Sequence, residues 1–227
     1  MTKINDEDAI ERSAFLKGSN TGYVRLHDQI NCLSTTVDVS EPCPWNIYSK
    51  ATAYSFRRKD YVSGFISDIV LFDTRIIAIG LMQQTIVRSL GDVALQDVDL
   101  NNEAVVDLLS VAPSPAKLKT AAVTEKEELQ KICAELGVPS KEDHTYVLRA
   151  IAFQGYLRLG EIENIGKDET ATYGSLHFRN LETFSSDKRR DVLIAFRIIR
   201  KHSDGSVSII WKQLQNKKAP MVTRVKV

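Results

Sequence analysis

The chain has 227 residues, 43% of them hydrophobic, and its 30 Lys and Arg nearly cancel its 29 Asp and Glu to leave a formal net charge of +1. That length and apolar content suffice for a real core in one domain, with or without a sizeable appendage. No uninterrupted apolar run approaches the roughly 18 residues of a membrane-spanning helix, and the N-terminus is polar and acidic at Asp6, Glu7, Asp8 and Glu11, so neither a transmembrane helix nor an export signal is expected.

In residues 5–17, Ala9, Ile10, Ala14 and Phe15 form one weak helical stripe stopped by Gly18, which reads as a short flexible arm over residues 1–20. Over residues 22–39 a strand is expected. Val24, Leu26, Ile30 and Cys32 share one parity and Leu33, Val37 and Val39 the other, so the strand must bend near Cys32 before Pro42 and Pro44 end it. In residues 57–70, Tyr61, Phe65 and Ile69, with Val62 and Ile66, recur at i/i+4 spacing, which predicts a helix lying on a sheet. Ile76, Ile77, Ile79, Leu81 and Met82 fit strand or helix by period alone, and their β-branched density favours a strand over residues 75–83.

Residues 101–109 carry a capping pattern and the apolar stripe Val105, Leu108 and Leu109, which predicts a short helix. The segment 111–123, VAPSPAKLKTAAV, keeps no period of 2 or 3.6 and reads as an exposed loop. Val111, Pro113, Pro115, Leu118 and Val123 are its candidate self-association residues. A capping box at Thr124 to Glu127 opens a predicted helix over residues 124–136, closed by Gly137 and Pro139. In residues 144–159, Val147, Ile151, Phe153, Leu157 and Leu159 share one parity, and Gly155 would weaken a helix by about 1 kcal/mol, so a strand is expected.

The last element is a hairpin. VLIAFRIIRKH and SVSIIWKQL flank Ser203-Asp204-Gly205, where Gly accepts positive φ without steric cost. Val192, Ile194, Phe196 and Ile198 should face the core opposite Val207, Ile209 and Trp211. Together these elements predict an α+β fold, an antiparallel sheet with packed helices in a single core spanning residues 21–227.

Charge is distributed unevenly. From Ser186 onward there are 11 Lys and Arg against 3 Asp and Glu, and 19 against 26 before it. Such a run either solvates the outer faces of strands or meets an anionic partner, phosphate backbone or acidic lipid headgroups. The candidate anion-binding residues are Arg57, Arg58, Lys59, Lys188, Arg189, Arg190, Arg197, Arg200, Lys201, Lys212, Lys217 and Lys218. By strand parity Arg197, Ile199 and Lys201 share the outer face of the hairpin, a flat arrangement suited to headgroups at about 1 kcal/mol per basic residue. Nucleic-acid readers interleave aromatics for base stacking, whereas Phe196 and Trp211 read as core, so sequence-specific RNA reading is not expected.

Nothing points to catalysis. There is no Gly-rich phosphate loop, GxSxG, HExxH or CxxC pair, and His27, His144, His177 and His202 lack metal-like spacing, so neither an enzyme nor a metal or cofactor site is expected. Cys43 between two prolines before Trp45 reads as part of a rigid loop, and the odd set Cys32, Cys43 and Cys133 fits a reducing interior, cytosol or nucleus.

Two stretches resemble rhabdovirus matrix proteins. YSFRRKDYVSGFISDIVLFDTRIIAIGLMQQTIVRSLGD, residues 54–92, resembles the family's first core helix running into an apolar strand. SSDKRRDVLIAFRIIRKHSDGSVSIIWKQL, residues 185–214, resembles its closing hairpin. The resemblance implies a virion structural protein at the inner face of the envelope membrane, present in host cytoplasm or nucleus. It would self-associate, condense the viral nucleocapsid and bridge it to an anionic membrane during budding, with non-specific RNA contact. The chain departs from the family in lacking a proline-rich late-budding motif and a lysine-rich N-terminal arm, which puts host-factor recruitment in doubt. The alternative is an RNA-binding nucleocapsid or silencing-suppressor protein using the same basic run.

Overall fold

The computed structural model describes residues 12–28, 51–62, 66–78, 80, 83–114, 137–154 and 189–221. In chain order these form α1 (Ser13–Leu16), β1 (Thr21–Leu26), β2 (Ala53–Ser55), β3 (Asp60–Tyr61), β4 (Ile69–Phe72), β5 (Arg75–Ile77), β6 (Gln83–Gly91) and a 3-10 turn (Leu95–Asp97). Then come α2 (Glu103–Ser110), β7 (Gly137–Pro139), β8 (Thr145–Ala152), β9 (Arg190–Lys201) and β10 (Val207–Lys218). Strand accounts for 51% of the described residues and helix for 13%, which overturns the expected α+β fold with packed helices. The architecture is two five-stranded sheets, β1-β10-β9-β8-β6 and β3-β2-β4-β5-β7, with antiparallel pairing throughout.

One apolar cluster joins the two sheets. It unites Tyr54, Phe56, Ile69, Leu71 and Ile76 of the smaller sheet and its turns with Val192, Ile194, Phe196, Ile198, Ile209 and Trp211 of the larger. The larger sheet's other face carries a second cluster, where Leu95, Val98, Val105 and Leu108 cover Val147, Leu193, Ala195 and Ile210. Both faces of β9 and β10 are therefore covered over most of their length. Gly22 is obligatory to the first cluster, because a Cβ there would lie 2.4 Å from the Trp211 ring.

The predicted helix over residues 57–70 is replaced by strands β3 and β4. Ile69, Val70, Leu71 and Phe72 are all buried, and a strand covered on both faces reads as a continuous apolar run that mimics i/i+4 spacing. Phe72 pairs with Arg75 across a two-residue connection in which Asp73 and Thr74 both have positive φ, 47° and 59°, as a primed hairpin turn requires. Asp28 supports that turn by accepting from the Asp73 and Thr74 amides, each at 3.0 Å. The strand expected over residues 75–83 is observed only as β5, with β6 beginning at Gln83.

Other expectations meet their elements. The helix over residues 101–109 is α2, capped by the Asn102 side chain accepting from the Ala104 amide at 3.1 Å. β8 lies within the strand expected over residues 144–159, and the closing hairpin is β9 and β10 with the expected core parity. The strand over residues 22–39 is seen as β1, and its bend near Cys32 lies outside the described residues. The helix over residues 124–136 also lies outside them, while Gly137 and Pro139, expected to close it, belong to β7. Of the arm, residues 1–11 lie outside, and Phe15 of α1 packs against the second cluster.

Candidate anionic-surface site

The antiparallel ladder of β9 and β10 positions most of the predicted cations. Its register slips twice, between Ser208 and Ile209 and between Gln213 and Gln215, which leaves Ile199 and Leu214 as extra residues. Each bulge reverses the facing of the strand residues beyond it. Arg197 stands opposite Ile210 of the second cluster, and Lys201 stands opposite Val207 of the first. The two cations expected to share a flat outer face lie on opposite faces.

Several predicted site residues are committed within the protein. Arg57 and Asp68 are fully buried side chains with Nε 3.0 Å from Oδ1. Arg57 also donates to the Ile66 carbonyl at 3.0 Å and to Gln83 Oε1 at 2.9 Å. It ties the turn after β2 to the segment before β4 and to the start of β6, and its side chain reaches no surface. Arg197 is held by Asp92 at 2.7 Å, Asp143 at 3.1 Å and the Val93 carbonyl at 2.9 Å. Lys212 donates to the Gln96 carbonyl at 2.9 Å, and burial lowers its pKa against the opposing pull of Asp97 and Asp99. Lys59 donates to the Ser19 carbonyl at 2.8 Å with its ammonium 5.8 Å from the Trp211 ring centre. Arg58 is exposed beside it.

The remaining cations divide between the two ends of the ladder. At the open end, Arg190 stands directly opposite Lys218, and Arg190 Nε donates to Asn216 Oδ1 at 2.7 Å. Lys217 stands opposite Asp191, but Arg149 takes both oxygens of that carboxylate at 3.1 and 2.8 Å. The same guanidinium donates to the carbonyls of Leu108, Leu109 and Val111, so it ties the last turn of α2 to the larger sheet. Among the described residues, Arg190, Lys217 and Lys218 have no carboxylate within ion-pair distance. Arg189 joins this end by donating to the Phe153 carbonyl at 2.9 Å. Met221, 64% exposed, is there too, bridged to Gln154. Lys188 lies outside the described residues.

At the turn end, Arg200 and Lys201 are exposed, and the Lys201 amide donates to Glu142 Oε2 at 2.9 Å. Here the pairing of β1 with β10 assembles a cluster that sequence reasoning missed. Asp204 accepts from Arg25 Nη2 at 3.1 Å and lies 4.0 Å from His27 Nδ1. Its other oxygen accepts from the Ser206 amide at 2.9 Å and hydroxyl at 2.6 Å. Burial works to raise the Asp204 pKa, but the Ser206 bonds, Arg25 and His27 outweigh it and hold the carboxyl below its ordinary value. His202 Nε2 and the Tyr23 hydroxyl each lie 2.8 Å from Ser208 Oγ. Ser208 is completely buried, which denies a substrate access to its hydroxyl. No local signal marks this cluster, because Tyr23 and Ser208 are 185 positions apart.

Of the candidate self-association residues, Val111 is half-buried and its carbonyl accepts from Arg149 at 2.8 Å, and Pro113 is exposed. Ser114 is fastened to Gln84 Oε1 at 2.8 Å. Pro115, Leu118 and Val123 lie outside the described residues. Comparison with protein-family models, with curated proteins and with solved structures returns no match.

Proposed function

We propose that this chain is a non-enzymatic assembly protein of the viral-matrix kind, whose open ladder end docks on an anionic membrane surface. The observation that carries the reading is the Arg190–Lys218 cross-strand pair. Like charges directly opposite destabilise a sheet, and Lys217 beside them faces a carboxylate already taken by Arg149. An external anion relieves that repulsion.

Headgroups suit this end better than nucleic acid. Phe196 and Trp211 are buried and offer no stacking platform for bases. Met221 adds an exposed apolar side chain next to the cations, the combination that interfacial proteins use. The closing-hairpin half of the family resemblance supports the rest of the proposal: self-association, nucleocapsid contact and a place inside the virion envelope. The other half loses its support, because the stretch likened to a core helix folds as β2, β3 and β4.

Cosedimentation of the full chain with phosphatidylserine-containing vesicles at low salt tests the reading. Lys217→Glu/Lys218→Glu should lower vesicle partitioning on the order of 30-fold or more, since each nearby basic residue contributes about 1 kcal/mol. Unchanged partitioning overturns the assigned site. Absence of vesicle binding together with salt-steep binding of single-stranded RNA overturns the membrane in favour of nucleic acid.

A further inference from the structure

We infer that the junction between β1 and the β9–β10 turn is an acid-sensitive latch, closed at neutral pH and loosened when His27 takes a proton. Among the described residues β1 is an edge strand with β10 as its one ladder partner, paired from Thr21 with Lys212 to Leu26 with Val207. Its far end is held by side chains. Arg25 Nε donates to Ser206 Oγ at 2.9 Å and Arg25 Nη2 to Asp204 at 3.1 Å. The Tyr61 hydroxyl clamps the outer edge, accepting from the Arg25 amide at 3.2 Å and donating to its carbonyl at 2.8 Å. The His27 amide donates to the Ala51 carbonyl at 2.8 Å.

Among the described residues, Asp204 is the carboxylate that meets both Arg25 and His27. Arg25 already uses it, and the His27 ring stands 4.0 Å away, with His202 acting on that ring. Among the described residues, Tyr23 of β1 and Asp60 and Tyr61 of β3 are further titratable groups of these strands, Asp28 follows His27 with its carboxylate on the Asp73 and Thr74 amides, and Glu142 faces the Lys201 end of the turn. At neutral pH one arginine meets one carboxylate. In acid, imidazolium charge on His27 sets a second cation beside the carboxylate that Arg25 holds, and the least buried bond, Arg25 to Asp204, is the one disputed.

The direction of titration agrees. Burial lowers the His27 pKa below 6.5, with Arg25 and His202 acting the same way and Asp204 opposing. The folded state therefore binds this proton less readily than the unfolded chain, so the stability it carries is complete above about pH 6.5 and is lost as pH falls below it.

Amide exchange of the segment covering residues 21–27, corrected for intrinsic rate, would be compared at about pH 7.5 and about pH 5.5, either side of the histidine range. β1 should open severalfold faster in acid while β8 and β9 keep their protection, and His27→Gln should abolish the difference. Equal protection at both pH values, or an undiminished difference in His27→Gln, overturns the latch. Should the variant loosen β1 at both pH values, the NMR titration of His27 in the unaltered chain decides: a midpoint below that of an unstructured peptide supports the latch, and one above it sinks it.

Discussion

The two ends of the β9–β10 ladder carry similar numbers of basic residues and treat them oppositely. They lie about 33 Å apart if ten residues of strand separate them. Near the turn, Arg25 meets Asp204, Arg197 meets Asp92 and Asp143, and Glu142 caps the Lys201 amide. At the open end, Arg190 faces Lys218, and among the described residues the adjacent carboxylate, Asp191, is turned inward to Arg149. A basic run along the chain therefore does not become a basic surface by count. What decides is where carboxylates from distant segments land, since Asp92 and Asp143 reach Arg197 from 105 and 54 positions away.

The largest test acts on Asp191. Asp191→Ala would leave Arg149 buried without a counter-charge, both side chains being only 7% exposed, and breaking a buried pair in this way costs about 3–5 kcal/mol. Urea unfolding of the full chain should show a correspondingly lower midpoint. A loss under about 1 kcal/mol, the scale of an exposed pair, would mean that Asp191 is not committed inward. Its charge would then be available to Lys217, and the contrast between the ends would dissolve.

A smaller effect is expected at the turn. Asp204→Ala removes the two bonds that cap the hairpin through Ser206 and should cost about 1 kcal/mol in thermal unfolding, chiefly through those bonds. The ion pair with Arg25 adds little, because Asp204 is 48% exposed and Arg25 34% and solvent screens such pairs. Because its folded pKa is lowered, Asp204 contributes stability above its ordinary pKa of 3.8 that is lost as pH falls through the folded value. Asp204→Asn should therefore flatten the acid limb of the stability curve below about pH 4.

The long, locally punctuated elements were legible in the sequence. Asp204-Gly205 marked the hairpin, the capping pattern opening residues 101–109 marked α2, and alternation marked β8. The smaller sheet was not, because its strands run only two to four residues and its Asp73-Thr74 turn lacks the glycine that usually signals a primed turn. Asp28, which stabilises that turn, is 45 positions away from Asp73. Arg57 read as a surface cation because its neighbours are basic. Yet Asp68, isolated among Phe65, Ile66, Ile69 and Val70, was a signal in itself, since a carboxylate in an apolar run requires a buried partner. The bulges at Ile199 and Leu214 carry no glycine or proline, so the parity that placed Arg197 and Lys201 on one face could not register the slip.

The smallest expected effect separates function from stability most cleanly. Lys218→Glu converts the like-charged pair with Arg190 into an opposite-charged one at the same cross-strand position. Cross-strand pairs of this kind differ by about 0.2–1 kcal/mol, so the variant should be slightly more stable than the unaltered chain in urea unfolding. The same change should weaken vesicle partitioning at low salt, because it removes one attractive charge and adds a repulsive one. A residue selected only to solvate a strand end would give no such opposition: charge reversal there would leave binding untouched. If stability and binding move in the same direction, the repulsion between Arg190 and Lys218 is already relieved within the folded chain, and the open end is no different in kind from the turn.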